Sequence, residues 1–263
     1  MAVPARPLRL HNTLQRYDWG SHDAIADLLK IEADGAPMAE LWFGTHPSAP
    51  SRARLDHDDE QAAVCLAELI RSDPAGTLGQ RVADEYGPRL PYLLKILAAG
   101  RALSLQVHPS SHQAREGFNT ENAAGVPLGH PQRKFHDDQH KPEMIIALTQ
   151  FEALAGFRAP RQAVGLLTGL DGRLAATARQ HLHEDRSERG MRAAFEHLLA
   201  ARGQAGVRAD IDATVVSVRR RLEEGSPYEA ADQTVIDLAH QHPGDPGAIA
   251  SLMLNRLTLA PGE

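Results

Sequence analysis

Hydrophobic and polar positions alternate strictly over residues 103–109, where Leu103, Leu105 and Val107 are interleaved with Ser104, Gln106 and His108 before Pro109. Side chains at i, i+2 and i+4 of a β-strand share a face. One face of such a strand packs inward, and the other presents a hydroxyl, an amide and an imidazole in a row. Gln106 and His108 are then about 7 Å apart along the strand, near enough for both tips to reach one ion. The same alternation also fits an ordinary half-buried strand whose polar face looks at water.

Shorter stretches repeat the strand signature. Residues 8–20 read as a strand ending in the turn Asp18-Trp19-Gly20-Ser21, and residues 38–45 as a strand with Glu40 and Trp42 on one face. Residues 91–98 are apolar apart from Lys95, which reads as a snorkelling edge residue or as a cation placed for an anionic group. A polar cluster over residues 137–143 enters another strand, with Lys141 and Glu143 sharing a face. Residues 151–157 and 250–258 complete the set, and Pro261-Gly262 makes a turn.

The helical period takes over elsewhere. Residues 22–30, 60–71 and 77–86 read as short helices, and residues 109–142 as mostly loop with a brief helix near 111–117. Over residues 161–240 alternation disappears. Met191, Phe195, Leu198 and Leu199 recur at helical spacing, as do Ile211, Val215, Val218 and Leu222. Breakers at Gly169-Leu170-Asp171-Gly172, Gly203 to Gly206 and Gly225-Ser226-Pro227 divide this block into about four or five helices. The expectation is a mixed β and α chain with an all-α block set between strand-forming parts.

Composition narrows the function. The length of 263 residues allows one large domain or two ordinary ones. A formal charge of −6 and a pI near 6.2 argue against nucleic acid or an anionic membrane as a general partner. No apolar run approaches ~18 residues, so no membrane span is expected. The N-terminal residues lack the apolar core of a secretory signal, which leaves the cytoplasm as the expected location. The one cysteine, Cys65, has helical spacing to Leu66 and Leu69 and reads as a small core residue. Most of the fourteen histidines, among them His181, His183, His240 and His242, carry no ligand pattern.

Three short strands therefore present Gln106, His108 and Glu143 beside Ser104, Lys95, His140 and Lys141. A neutral imidazole with oxygen donors suits Zn²⁺ or another first-row divalent ion. Lysines beside a metal suit an anionic substrate or transition state.

The motifs that carry these residues resemble the type I mannose-6-phosphate isomerase (phosphomannose isomerase) family. The matching stretches are Tyr17-Asp18-Trp19-Gly20-Ser21, Ala39-Glu40-Leu41-Trp42-Phe43-Gly44 with His46-Pro47, and Leu93-Leu94-Lys95. They continue with Ser104-Leu105-Gln106-Val107-His108-Pro109, Asp138-Gln139-His140-Lys141-Pro142-Glu143-Met144, and Leu252-Met253-Leu254-Asn255 to Ala260-Pro261-Gly262-Glu263. The resemblance implies a cupin-type β-barrel (jelly roll), incomplete here, with an inserted all-α helical domain. Its boundaries would be residues 1–158 for the N-terminal part of the catalytic cupin, 159–243 for the insertion and 244–263 for the return strand. It implies one Zn²⁺ per chain held by Gln106, His108 and Glu143. Lys141 and His140 would be catalytic, and Ser104, Lys95, Glu40 and Trp19 would bind substrate.

The implied reaction is metal-dependent interconversion of mannose 6-phosphate and fructose 6-phosphate through a cis-enediol. The partner would be a small sugar phosphate, the chain a monomer, and the setting carbohydrate metabolism, including GDP-mannose biosynthesis. Gln139 stands where the family usually has Asn. The family's fourth ligand (a histidine), an Arg-containing active-site stretch and a C-terminal cupin follow the closing Ala-Pro-Gly-Glu, and the sequence stops there. The expectation is a site one ligand short, with a catalytically inactive fragment or a non-catalytic sugar-phosphate or metal-binding cupin as the alternatives.

Overall fold

The computed structural model describes residues 7–55 and 63–263. The chain divides into two compact units, residues 1–103 and 104–263.

The first unit is built on two three-stranded antiparallel sheets. One has the order β1-β4-β5, from Arg9–His11, Arg52–Arg54 and Ala63–Cys65; the other has the order β2-β3-β6, from Thr13–Gln15, Glu40–Phe43 and Leu94–Leu97. The single strand expected over residues 8–20 is thus two strands in different sheets. The switch falls at Asn12, whose Oδ1 accepts the Ser51 hydroxyl at 2.8 Å. Strands that change sheet at a bend turn the corners of sandwiches and barrels.

Helix α1 (Ala24–Leu29) buries Ile25 and Ala26 against Met38, with Leu14, Ile96 and Ala98 packed on them. Gly20 is a close approach: a Cβ there would lie 2.6 Å from the Ala39 nitrogen. Helices α2 (Leu66–Ser72), α3 (Pro74–Leu78) and α4 (Gln80–Tyr86) follow β5, and Gly79 at φ 81° separates the last two. The helix expected over 60–71 begins only at Leu66; residues 60–62 lie outside the described residues. Cys65 ends a strand and is half-buried, so its reading as a helical core residue is corrected. A period of four apolar positions does not distinguish a strand-to-helix junction from the helix itself.

In the second unit, strand β7 (Phe151–Phe157) pairs antiparallel with β8 (Leu254–Leu259) through a register shift between Leu154 and Phe157. Between them the chain makes five helices: α6 (Pro160–Leu167), α7 (Arg173–Glu184), α8 (Glu188–Ala200), α9 (Val207–Glu223) and α10 (Glu229–Gln241). It returns through α11 (Gly247–Ala250) and a 3₁₀ turn, Ser251–Met253. The helical block therefore leaves one strand and comes back on its neighbour, which is the geometry of an insertion. Leu167, Leu182, Leu198, Ile211, Val235 and Met253 are fully buried at its centre. Residues 250–253, expected as strand, are helical because the backbone is still closing the last turns under that core.

Two expected strands are corrected. Residues 102–110 and 141–147 have no ladder among the described residues. Val107 is 90% exposed and Met144 87%. Alternation assigns side chains to faces, but a strand exists only where another backbone answers its N–H and C=O groups. Ala147 does find such partners, donating to the Glu263 carbonyl and accepting from Gly262 N–H, both at 2.8 Å. The sheets described have three, three and two strands, and among the described residues none closes into a barrel.

The brief helix near 111–117 is longer, α5 (Ser111–Ala123), nucleated by a capping box between Ser110 and Gln113.

One half-buried histidine is expected to make the helical block sensitive to acid. His197 Nε2 is buried without a hydrogen-bond partner, and its ring lies 5.9 Å from that of His181. Burial, then the charge of His181, holds the His197 imidazole below its usual range. The unfolded chain therefore binds more protons as pH falls through ~6.5, and stability present above that value is lost until the lower native pKa is passed. Melting temperature is expected to drop from pH 7.5 to pH 5.5 and to do so less steeply in His197→Leu. Equal slopes in the two proteins would contradict this.

Candidate functional site

The expected site residues fall in both units. Trp19, Glu40 and Lys95 belong to the first; Ser104, Gln106, His108, His140, Lys141 and Glu143 belong to the second.

In the first unit the β3–β6 register places Trp42 opposite Lys95, and Glu40 is two residues along on the same face. The Glu40 carboxylate is buried, at 5% exposure, and uses both oxygens. Oε1 meets Lys95 Nζ at 2.9 Å and Oε2 accepts Trp42 Nε1–H at 2.8 Å. His46 stands edge-on to Trp42, with ring centroids 4.6 Å apart. A buried charge is tolerable only when paired in this way. The pairing holds the Lys95 ammonium at a fixed point with 31% of its side chain exposed. Trp19 stacks on Tyr17 at 5.6 Å, and its carbonyl accepts Gly100 N–H at 2.8 Å.

In the second unit two extended segments lie side by side. His108 Nδ1 meets the Lys141 carbonyl oxygen, and Nε2 lies 3.6 Å from Glu143 Oε2. A carbonyl oxygen accepts only, so Nδ1 donates to it and Nε2 is turned toward the carboxylate. A cation between Nε2 and the carboxylate oxygen would engage both. Two ligands of a tetrahedral ion at about 2.0–2.2 Å are about 3.3–3.5 Å from one another, close to the spacing observed. A carbonyl fixing the second nitrogen is the usual support of a metal-bound histidine. The donor set therefore fits a first-row divalent ion. Among the described residues no group of three or more His, Cys, Asp and Glu side chains converges. Of the three expected ligands, the 3.6 Å contact joins His108 and Glu143; Gln106, like Ser104, is exposed.

The neighbouring groups are held by residues the sequence reading did not single out. Lys141 Nζ is 2.7 Å from Asp137 Oδ1, and His140 Nδ1 is 2.9 Å from the Ser111 hydroxyl at the start of α5. Asp137 stands four residues before Lys141, a spacing visible in the sequence only once the segment's bend is known. Arg133 is 4% exposed and fastens the preceding loop: Nε donates to the Phe135 carbonyl at 2.7 Å and Nη2 to Asn122 Oδ1 at 2.8 Å. Its guanidinium lies 5.0 Å over the Phe118 ring. Glu121 accepts the backbone N–H groups of Lys134 and Phe135, which lower its carboxyl pKa from the ordinary value.

Residues 8–160 match the family described as phosphomannose isomerase type I, catalytic domain. The chain is 37% identical to a mannose-6-phosphate isomerase of Shigella flexneri over 256 residues, covering 97% of this chain and 62% of the relative. It is 33% identical to that of Homo sapiens over 285 residues, 63% of the relative. A crystal structure of a zinc-bound holo mannose 6-phosphate isomerase superposes with a TM-score of 0.82 at 33% identity. The Salmonella typhimurium enzyme with fructose 6-phosphate and zinc gives 0.81 at 33% identity. Each structural match covers 97% of this chain and 62% of the other. The chain thus spans about three-fifths of the length of these relatives.

Proposed function

We propose, from the premise that this chain belongs to the type I phosphomannose isomerase family, that it carries a zinc-dependent site for interconverting mannose 6-phosphate and fructose 6-phosphate. The observation that supports this reading most is the apposition of His108 Nε2 and Glu143 Oε2 at 3.6 Å, with the ring oriented by Lys141. Gln106, His108 and Glu143 would hold one Zn²⁺ per chain. A divalent ion in that position supplies Lewis-acid stabilisation of the developing oxyanion, an effect of several kcal/mol.

The remaining residues act on the substrate directly. Aldose–ketose isomerisation moves a proton between C1 and C2 through a cis-enediol, and positioned acid–base groups contribute about 10²–10⁴-fold. We assign that proton transfer and the opening of the sugar ring to Lys141 and His140. Asp137 holds the Lys141 ammonium and Ser111 fixes the His140 ring through Nδ1. Lys95, fixed by Glu40, suits a phosphate oxygen; Ser104 and Trp19 complete the substrate contacts in this assignment. Residues 159–243 form the inserted module in this reading, the chain acts as a monomer, and its place is the cytoplasm. No helix among the described residues is long and apolar enough to cross a membrane. The sugar phosphates involved place the reaction in carbohydrate metabolism, upstream of GDP-mannose.

The test is a coupled assay of mannose 6-phosphate turnover. Turnover is expected with zinc, lost on chelation and restored by adding zinc back. Turnover indifferent to chelation would overturn the metal role. Zinc and sugar-phosphate binding with no turnover would instead mark a non-catalytic cupin.

A further inference from the structure

The helical unit contains an open cavity of about 650 Å³ lined by none of the residues assigned above. It lies where the end of β7, helix α6, the start of α10 and strand β8 meet. Pockets of about 300–1,000 Å³ are the usual size for small-molecule ligands. Arg158, Arg161 and Arg256 line it, against one lining carboxylate, Glu229. Arg256 is already committed: Nη2 is 2.5 Å from Glu152 Oε1 and Nε donates to Thr234 Oγ1 at 3.1 Å.

The other two arginines are not neutralised. Among the described residues neither Arg158 nor Arg161 takes part in an ion pair, and Arg158 Nε is buried with no hydrogen-bond partner. A buried donor left without an acceptor is costly, more so on a charged group. Burial also lowers the Arg158 pKa. One helix start adds backbone donors: the thirteen-residue α10 begins beside the cavity with no side-chain cap. The first N–H groups of a helix have no intrahelical acceptor, and the dipole favours an anion there. Gln162 and Tyr228 line the same space with an amide and a phenol.

We infer that this cavity is a second anion site, distinct from the proposed catalytic one, and that it takes a phosphate dianion, free or as a small phosphate ester. Two guanidinium groups and the uncapped start of α10 supply more donors than a carboxylate can accept. A tetrahedral phosphate, with three strongly accepting oxygens and close to two charges, matches them.

Calorimetric titration of the whole chain with inorganic phosphate, mannose 6-phosphate and mannose tests the site. The proteins are the parent, Arg161→Glu, and Lys95→Ala combined with Lys141→Ala. Arg161 is exposed, so its charge reversal leaves the core intact, and melting temperature verifies the fold of each variant. Saturable phosphate binding is expected to survive Lys95→Ala/Lys141→Ala, to weaken at least about tenfold in Arg161→Glu, and to be absent for mannose. In Lys95→Ala/Lys141→Ala, mannose 6-phosphate binding much tighter than phosphate identifies an ester ligand, and equal affinities identify free phosphate. Unchanged affinity in Arg161→Glu, or no binding once Lys95 and Lys141 are replaced, overturns the inference. Neither result depends on whether the chain isomerises sugars.

Discussion

Glu143→Ala is expected to lower the zinc affinity of this chain by at least about 100-fold, leaving dialysed protein with essentially no metal. Groups that merely orient a metal ligand change affinity about 10–100-fold, and Glu143 would touch the ion itself. Its carboxylate is one of two donors that the fold already brings within 3.6 Å of one another. Removing it leaves His108 Nε2 as the sole member of that pair and takes away the negative charge that favours a dication. Glu143→Gln keeps the shape without the charge and is expected to fall between the two. Metal analysis after dialysis against a fixed zinc buffer reads all three. A full equivalent of zinc in Glu143→Ala would remove Glu143 from the ligand set.

Asp232→Ala is expected to have the largest effect on stability. Asp232 is fully buried and grips Arg221 through both oxygens, with Nε to Oδ2 at 2.9 Å and Nη2 on Oδ1. Ser226 also donates to Oδ2, while Arg221 Nη1 donates to the Leu166 carbonyl at 2.8 Å. One guanidinium thus ties α9, α10 and the end of α6 together. Its side chain is only 16% exposed, so removing the carboxylate strands a charge inside the module. Breaking such a pair from one side costs about 3–5 kcal/mol, a fall in melting temperature on the order of 10 °C. Replacing both partners, as Arg221→Met with Asp232→Leu, is expected to recover most of that loss, since an apolar pair leaves no stranded charge. A loss below about 1 kcal/mol in Asp232→Ala would show that water reaches Arg221 freely.

The helical block was legible because its signal is repetitive. Met191, Leu198, Ile211 and Val218 recur at helical spacing and are all buried in one cluster, with Phe195, Val215 and Leu222 packed on it. The break between α7 and α8 carries no glycine or proline. It is made by side chains instead, with the N-cap residue Ser187 accepting Arg189 N–H at 3.2 Å. Helix α5 was underestimated for the opposite reason. Its capping box is plain in Ser110 and Gln113, but only Ala114 is buried along it, leaving almost no apolar period to follow.

The site divides the same way. Alternation put Glu40 and Trp42 on one face and Lys141 and Glu143 on another, because that depends on neighbours in sequence. That Lys95 faces Trp42 depends on register between strands 53 residues apart, which alternation does not encode. The meeting of His108 with Glu143 has the same character: a contact of long sequence separation, suggested by the donor types and sharpened by the resemblance of the motifs to a known family. Arg133 and Ser111 were passed over because single polar residues in a loop or at a helix start carry no period at all.

Zinc K-edge X-ray absorption on the metal-loaded chain tests the central claim most directly. The account predicts a low-coordinate shell of nitrogen and oxygen near 2.0–2.1 Å. It also predicts the multiple-scattering signature of a single imidazole, lost in His108→Ala. A shell of water oxygens alone, or an imidazole signal that survives His108→Ala, would contradict it.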